Sequence, residues 1–381
     1  TGGLTRLVDK RRVRHDHADV FCTTSEGIRG QRAVDWKLVD ELVPRSRFEV
    51  LVQERAAAFA ARSDRPGAAT GITLAPLRRT LDADQLRYTH VTVDIDRALG
   101  TATLLIHGPL DMPPQTPETI HAAGVSFWPL ALARELDDAI LHLRLNEDTI
   151  GTWVVRSVGE HALVEAADTA LARYQTDWLV REIALFLKRT LKRLDVSSRS
   201  VIALVEPGSG VTGTLLELVL AADRSYMLDG SYADNPAPPA SLRLSPLNFG
   251  PLPMAQGVTR LQRRFLAVPE HVEQLRQRLG HDLEAREAEA LGLVTFIPDD
   301  IDWDDEVRLA LEERASFSPD ALTGMESSLR FAGPETCESK IFGRLSAWQN
   351  WIFQRPNAVG AEGTLTLYGT GKKSLFDTRR V

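Results

Sequence analysis

Apolar and polar positions along the middle of the chain switch repeatedly between a period of two and a helical period. Residues 91–96 and 101–106 are β-rich runs separated by a four-residue turn, which predicts a hairpin. Residues 127–145 and 178–194 carry apolar side chains at helical spacing, with 149–155 as a strand between them. The pattern therefore predicts a hairpin followed by alternating helices and strands.

The alternation continues through the most apolar part of the chain. Residues 201–205 form a continuous apolar run with the length of a buried strand. A glycine cluster at 208–213, a helical pattern over 214–222 and a short strand candidate at 226–228 follow. Because strands and helices alternate, we predict an α/β domain built on a parallel, helix-covered sheet.

The first part of the chain has a different pattern. Helical spacing dominates residues 13–61, and the next residues are rich in serine, proline and glycine, which is typical of a linker. We therefore assign residues 1–61 to a helical C-terminal part of one unit and 62–87 to a linker. Residues 88–300 form a second unit, and 301–381 a helical extension and tail.

Two segments near the start recur later in the chain. Residues 3–7 resemble 257–261, and 33–39 resemble 288–294, at offsets of 254 and 255 residues. A shared offset is expected of duplicated units. On this interpretation the chain is a C-terminal fragment, with the end of a first copy, which would begin upstream of Thr1, and a complete second copy.

Composition narrows the class of protein. The chain has 381 residues, 43% hydrophobic and 25% charged, as in ordinary globular proteins, and its net charge of −7 disfavours nucleic-acid binding. Cys22 and Cys337 are too few for a disulfide framework and lie in no Cys-x-x-Cys pair. With no long apolar segment, the sequence predicts a cytoplasmic protein without membrane contact.

The glycine cluster admits three interpretations. Gly208, Gly210 and Gly213 match Gly-x-Gly-x-x-Gly after a strand and before a helix, and Asp229 lies where a dinucleotide's ribose would need an acid. The strand candidate before Asp229 is very short, a proline-rich loop follows it, and the motif lies in mid-domain, all of which argue against a dinucleotide. A second interpretation is a glycine turn for close packing. A third is a turn that directs backbone N–H groups at a carbonyl oxygen.

The third interpretation agrees with a family resemblance. Residues 203–208 and 213–223 resemble the crotonase (enoyl-CoA hydratase/isomerase) superfamily, with Glu217 and Asp223 at its six-residue spacing. The repeated segments 257–261 and 288–294 are similar to its Gly-Gly-Thr-x-x-Leu and Ala-x-x-x-Gly-Leu-Val signatures. The resemblance implies a crotonase-like ββα superhelix, one complete copy plus the helical tail of a preceding copy.

The resemblance also implies a substrate and a site. The substrate is an acyl-CoA thioester, with CoA part of the substrate and no separate cofactor or metal. Gly213 and Thr214 would form the oxyanion turn, with the Thr214 N–H as one donor and the other, unassigned, donor near residues 161–168. Glu217 would be a catalytic carboxylate. The second hydratase glutamate falls on Pro246, which cannot transfer a proton. A structural role for Glu217 near a helix N-terminus is the alternative.

The last hundred residues are similar to a narrower group, ring-cleaving lyases with a doubled crotonase unit; the segments that carry this are 292–303, 317–326, 342–360 and 368–371. This implies opening of 2,3-epoxybenzoyl-CoA with water to 3,4-didehydroadipyl-CoA semialdehyde and formate in aerobic benzoate breakdown. The resemblance further implies a homo-oligomer and catalytic carboxylates in the first copy. The alternatives are a generic enoyl-CoA hydratase or isomerase, a non-catalytic acyl-CoA-binding half, and a nicotinamide oxidoreductase.

Overall fold

The computed structural model describes residues 2–64, 67, 71–232 and 237–380. The chain forms two compact units, Thr1–Thr70 and Gly71–Val381, called here the N-terminal and C-terminal units. Residues 65, 66 and 68–70 of the predicted linker lie outside the described residues. The N-terminal unit contains helices α1 (Gly3–Thr5), α2 (His15–Thr23), α3 (Gln31–Asp35) and α4 (Phe48–Ala61).

The C-terminal unit contains strands and helices in alternation. Its strands are β1 (Thr80–Leu81), β2 (Gln85–Arg87), β3 (Val91–Asp96), β4 (Thr101–His107), β5 (Thr152–Val158), β6 (Ser200–Val205), β7 (Val211–Thr212), β8 (Arg224–Met227), β9 (Ser241–Arg243) and β10 (Leu283–Glu284). Its helices are α5 (Pro117–Ala123), α6 (Trp128–Asn146), α7 (His161–Arg173), α8 (Trp178–Asp195), α9 (Gly213–Ala221), α10 (Arg260–Arg264), α11 (Pro269–Leu275), α12 (Ala285–Ala290), α13 (Trp303–Ala315), α14 (Pro319–Arg330), α15 (Cys337–Arg344), α16 (Asn350–Ile352), α17 (Pro356–Val359) and α18 (Thr364–Leu367).

A mixed sheet forms the centre of the C-terminal unit. Within the described residues its order is β1-β2-β3-β4-β5-β6-β8. β1 to β4 pair antiparallel, and β4, β5, β6 and β8 run parallel. The described residues also form a smaller sheet, with the strand order β10-β9-β7. The predicted α/β class and the parallel sheet are confirmed.

The local hydrophobic pattern of the sequence predicted most of these elements correctly. The predicted hairpin is the antiparallel pair β3 and β4, with Asp96 opposite Thr101. The two long amphipathic helices are α6 and α8, and α8 begins at a cap in which the Asp177 carboxylate accepts from the N–H groups of Leu179 and Val180. Two short strands, β1 and β2, lie inside the segment predicted as a linker.

The two most apolar elements are buried on all sides. Every residue of β6 and of α9 is buried, so α9 packs as a central helix. A mainly apolar helix that is buried around its whole circumference lies inside a core. The strand-to-helix connection from β6 to α9 therefore places the glycine cluster and the start of α9 at the carboxyl end of the parallel strands.

Two helices of the N-terminal unit have counterparts in the C-terminal unit at nearly the same offset in sequence. Pro269 of α11 follows His15 of α2 by 254 residues, and Trp303 of α13 follows Phe48 of α4 by 255. These offsets equal those of the repeated sequence segments. The helical succession thus follows the predicted internal repeat.

Candidate functional site

The start of α9 is a bend that only glycine can occupy. Gly213 has φ +44°, and a Cβ there would lie 1.9 Å from Asp168 Oδ2 and 2.7 Å from Ser245 Oγ. Both distances are far below a van der Waals contact. Asn248 Nδ2 also donates to the Gly213 carbonyl oxygen at 2.9 Å. The bend therefore faces packed polar side chains.

The Thr214 N–H, expected to donate to a thioester oxygen, donates instead to Asp168 Oδ2 at 2.7 Å. The Thr214 hydroxyl donates to Asp168 Oδ1 at 2.6 Å. An internal carboxylate thus occupies the position expected for the substrate's oxygen. Burial raises the pKa of Asp168 to about 7, against the opposing effect of these two hydrogen bonds. The oxyanion role of Gly213 and Thr214 stays a prediction that requires Asp168 to move.

The region predicted to hold the second oxyanion donor is helical. Residues 161–168 belong to α7, where the N–H groups of Leu163 and Val164 donate to the Glu160 carbonyl oxygen. Beyond its first turn, a helix uses its own N–H groups in i→i−4 bonds. The N–H groups of residues 163–168 are therefore already bound within the helix start or the helix itself and offer no second donor to the bend.

Glu217, the predicted catalytic carboxylate, lies in a buried charge network. Its Oε2 accepts from Arg260 Nη1 at 2.8 Å and its Oε1 from Asn248 Nδ2 at 2.8 Å. Arg260 Nη2 donates to Asp195 Oδ2 at 2.8 Å. Glu217 and Arg260 are 1% and 0% exposed, so neither reaches solvent. One guanidinium therefore pairs with two buried carboxylates.

This geometry favours the structural alternative for Glu217. Burial raises its pKa, whereas the Arg260 charge and the hydrogen bond from Asn248 act in the opposite direction. A general acid or base must come within hydrogen-bond reach of the substrate proton. Both Glu217 oxygens are already bound by protein groups. Pro246, at the position of the second acid, is exposed and begins a 3₁₀ turn. A catalytic role for Glu217 stays a prediction.

A cavity of about 460 Å³ lies at the carboxyl ends of β5 and β6. His161 Nδ1 lies 3.1 Å from Asp282 Oδ1, and Arg243 donates to both Asp282 oxygens. Burial lowers the pKa of His161, and the nearby Arg243 charge adds to the effect. The cavity is lined by these side chains and by backbone at 159–160 and 208–210. The sequence interpretation did not single out these three residues, because the pattern around each is ordinary.

The glycine cluster agrees with the close-packing interpretation. Gly210 has φ +59°, and a Cβ there would lie 2.6 Å from the Gly159 carbonyl oxygen. Glycine at position 210 thus lets two connections after neighbouring strands touch. Asp229, the expected ribose partner, accepts from Arg286 Nε at 2.9 Å. These contacts do not support a dinucleotide site.

The structure describes residues 2–64, 67, 71–232 and 237–380. Within them no group of three or more His, Cys, Asp or Glu side chains is placed to hold a metal ion. In the same described part, no helix is both long and apolar enough to cross a membrane.

Comparison with solved structures defines the class. The chain is similar to an enoyl-CoA hydratase from Geobacillus kaustophilus (TM-score 0.54, 16% identity, 77% of this chain and 98% of that chain). It is similar to another from Bacillus anthracis (TM-score 0.53, 16% identity, 76% of this chain and 100% of that chain). At these identities the likeness shows the fold alone, and that fold is the crotonase fold.

Comparison with curated proteins defines the family. The chain is 52% identical over all of its 381 residues to a benzoyl-CoA-dihydrodiol lyase from Aromatoleum evansii, and covers 68% of that protein. At this identity and coverage, the chain belongs to the benzoyl-CoA-dihydrodiol lyase family of the crotonase superfamily. No family model matches the chain.

Proposed function

We propose that this chain is part of a carbon–carbon lyase that opens the ring of a benzoyl-CoA derivative. The observation that carries the proposal is 52% identity, along the whole chain, to a protein named as a benzoyl-CoA-dihydrodiol lyase. The substrate we propose is 2,3-epoxybenzoyl-CoA. Ring opening with water would give 3,4-didehydroadipyl-CoA semialdehyde and formate.

The chemistry fits the way a crotonase fold is used. A thioester carbonyl withdraws electrons from the ring attached to it, and oriented backbone donors stabilise the charge that develops on its oxygen. Carboxylates then direct water to the opened epoxide and move protons. CoA is part of the substrate, and since the epoxide already carries the oxygen, we propose that no separate cofactor takes part.

Within this lyase, the centre formed by Asp168, Thr214 and Glu217 is the non-catalytic counterpart of a crotonase site. A thioester oxyanion bound at this bend would need the Thr214 N–H as a donor. That N–H already donates to Asp168 Oδ2 at 2.7 Å. A negatively charged Asp168 would also repel an oxyanion beside it. The arrangement supports a binding or structural half, with ring opening at a different centre.

A generic enoyl-CoA hydratase or isomerase is less well supported by the geometry. Water addition in that class uses two carboxylates, and here Pro246 replaces one whereas Arg260 and Asn248 hold Glu217. No observation favours a nicotinamide oxidoreductase, since Asp229 is paired with Arg286.

The test is a chimera in which this chain replaces its matching region of the Aromatoleum evansii lyase. We expect the chimera to release formate from 2,3-epoxybenzoyl-CoA, with a ring-opened CoA thioester detected by mass spectrometry. A folded chimera that releases no formate, beside an active parent protein, would contradict the proposed reaction. Faster hydration of crotonyl-CoA than ring opening would favour the hydratase alternative.

A further inference from the structure

A group of buried arginines lies near the amino ends of the parallel strands, whereas the α9 bend lies at their carboxyl ends. We name it the arginine cluster; its members, each 7% exposed or less, are Arg199, Arg314, Arg330 and Arg380. Arg380 Nη1 donates to the Ser198 carbonyl oxygen at 2.8 Å, and Arg330 Nη2 to that of Arg199 at 2.6 Å. These contacts bring the tail, α14 and the residues just before β6 together.

The cluster contains more positive than negative charge. Arg330 is paired with Asp223 through two hydrogen bonds of 2.9 and 2.6 Å. Arg380 Nη1 lies 3.7 Å from Glu326 Oε2, and the other Glu326 oxygen accepts from the Ser200 hydroxyl. Among the described residues, neither Arg199 nor Arg314 forms an ion pair, which leaves two buried cations without a carboxylate. Such unbalanced buried charge is strongly unfavourable.

Three guanidinium atoms in the cluster are buried without a hydrogen-bond partner among the described residues. They are Arg199 Nε, Arg314 Nη1 and Arg380 Nε. Burial lowers the pKa of Arg380, Glu326 opposes this effect, and the charges of Arg330 and Arg314 add to it, so these cations are close enough to repel one another. Glu326 Oε2, beside Arg380, is an acceptor that is also buried without a hydrogen-bond partner in the described part of the chain. The three unpartnered donors outnumber it, so the cluster calls for a further acceptor.

Arg314 and Arg380 line a cavity of about 150 Å³. Its other walls are the β3–β4 turn at 97–100, the loop before β5 with Thr149, and Thr378 of the tail. A volume of this size holds roughly five water molecules at their liquid volume of about 30 Å³ each. It therefore admits a small oxyanion but not an acyl chain. Its position at the amino ends of β4 and β5 separates it from the α9 bend, at the carboxyl end of the sheet.

We infer that this cavity binds a phosphate-class dianion, held by Arg314 and Arg380. Arg314 forms no ion pair among the described residues, and the only carboxylate contact of Arg380 there is the 3.7 Å pair with Glu326. Guanidinium groups bind phosphate oxygens through paired N–H donors. The Thr149 and Thr378 side chains at the cavity wall supply further hydroxyl groups. The bound anion would join the tail to the β3–β4 turn. The inference is independent of the lyase reaction.

The experiment measures thermal unfolding and calorimetric binding of the chain with sodium phosphate against sodium chloride at equal ionic strength. We expect phosphate to raise the melting temperature by several degrees at saturation, because it binds only the folded state. Arg314→Met should weaken phosphate binding at least about tenfold, the effect of losing charged hydrogen bonds. Without phosphate, Arg314→Met should melt no lower than the parent, since it removes an unpaired buried charge.

The matched control is Arg308→Met on the same helix, where Arg308 forms exposed ion pairs with Asp305 and Glu312. It should leave the phosphate effect intact. Phosphate that stabilises no more than chloride, or an equal phosphate effect in Arg314→Met, would overturn the inference. Competition with coenzyme A identifies the source of the anion. If coenzyme A displaces phosphate, the site binds a nucleotide phosphate; if it does not, the site binds the free anion. Either result supports the site.

Discussion

Asp168 accepts two hydrogen bonds from Thr214, one from its N–H at 2.7 Å and one from its hydroxyl at 2.6 Å. The residues come from different helices, α7 and α9, and both are at most 2% exposed. The pair closes the bend at the start of α9 from within the protein. A position that the family resemblance assigns to substrate is therefore occupied by a side chain of the same chain.

The Asp168 contact makes stability depend on pH. Because the folded-state pKa is raised to about 7 from 3.8, Asp168 favours folding when protonated, and this contribution is lost as pH rises from about 4 to 7. The free energy of unfolding of Asp168→Asn should exceed that of the parent by an amount that grows to a few kcal/mol over this range. Urea unfolding between pH 4 and 8 measures it. A difference that does not change with pH would contradict the assignment.

The bend should not tolerate a side chain at Gly213. Gly213→Ala introduces a Cβ 1.9 Å from Asp168 Oδ2 in addition to the backbone cost of a positive φ, about 1–2 kcal/mol. Gly208→Ala is the control, since Gly208 has φ +81° and nothing within 4 Å of a Cβ. We expect a clearly larger loss of stability for Gly213→Ala, partly reversed by adding Asp168→Ala. Equal losses for the two glycines would contradict the packing at the bend.

Arg260 should be among the most sensitive charged residues of the chain. Arg260→Met leaves Asp195 and Glu217 buried without their cation, which costs about 3–5 kcal/mol. Arg286→Met removes an exposed partner of Asp229 and should cost at most about 1 kcal/mol. Chemical unfolding at neutral pH compares them. Similar small losses in the free energy of unfolding for both substitutions would show that the buried network contributes little to stability.

The sequence predicted the elements whose patterns are local. The continuous apolar run of β6 and the helical period of α6 and α8 each depend on neighbouring residues, so one segment is enough to predict them. The repeat was also visible, because α13 follows α4 at the offset of the repeated segments. The small sheet of β7, β9 and β10 was missed, since strands of two or three residues have no measurable period.

The site was harder to predict because its contacts are distant in sequence. Thr214 and Asp168 are 46 residues apart, and Arg260 and Glu217 are 43 apart. One signal was available: Arg260 is a charged residue inside the repeated motif 257–261, directly before the buried Leu261. A charge at such a position indicates a buried partner of opposite sign, and Glu217 was a candidate.

The most direct test of a non-catalytic centre is kcat for ring opening by the Glu217→Gln chimera. Glutamine keeps the size of the side chain and one carbonyl oxygen, which can accept from Arg260, and Asp195 still pairs with the guanidinium. We predict a kcat within about twofold of the unsubstituted chimera, with circular dichroism confirming the fold. A fall of about 10²-fold or more, the usual effect of losing a general acid or base, would show that Glu217 takes part in the reaction.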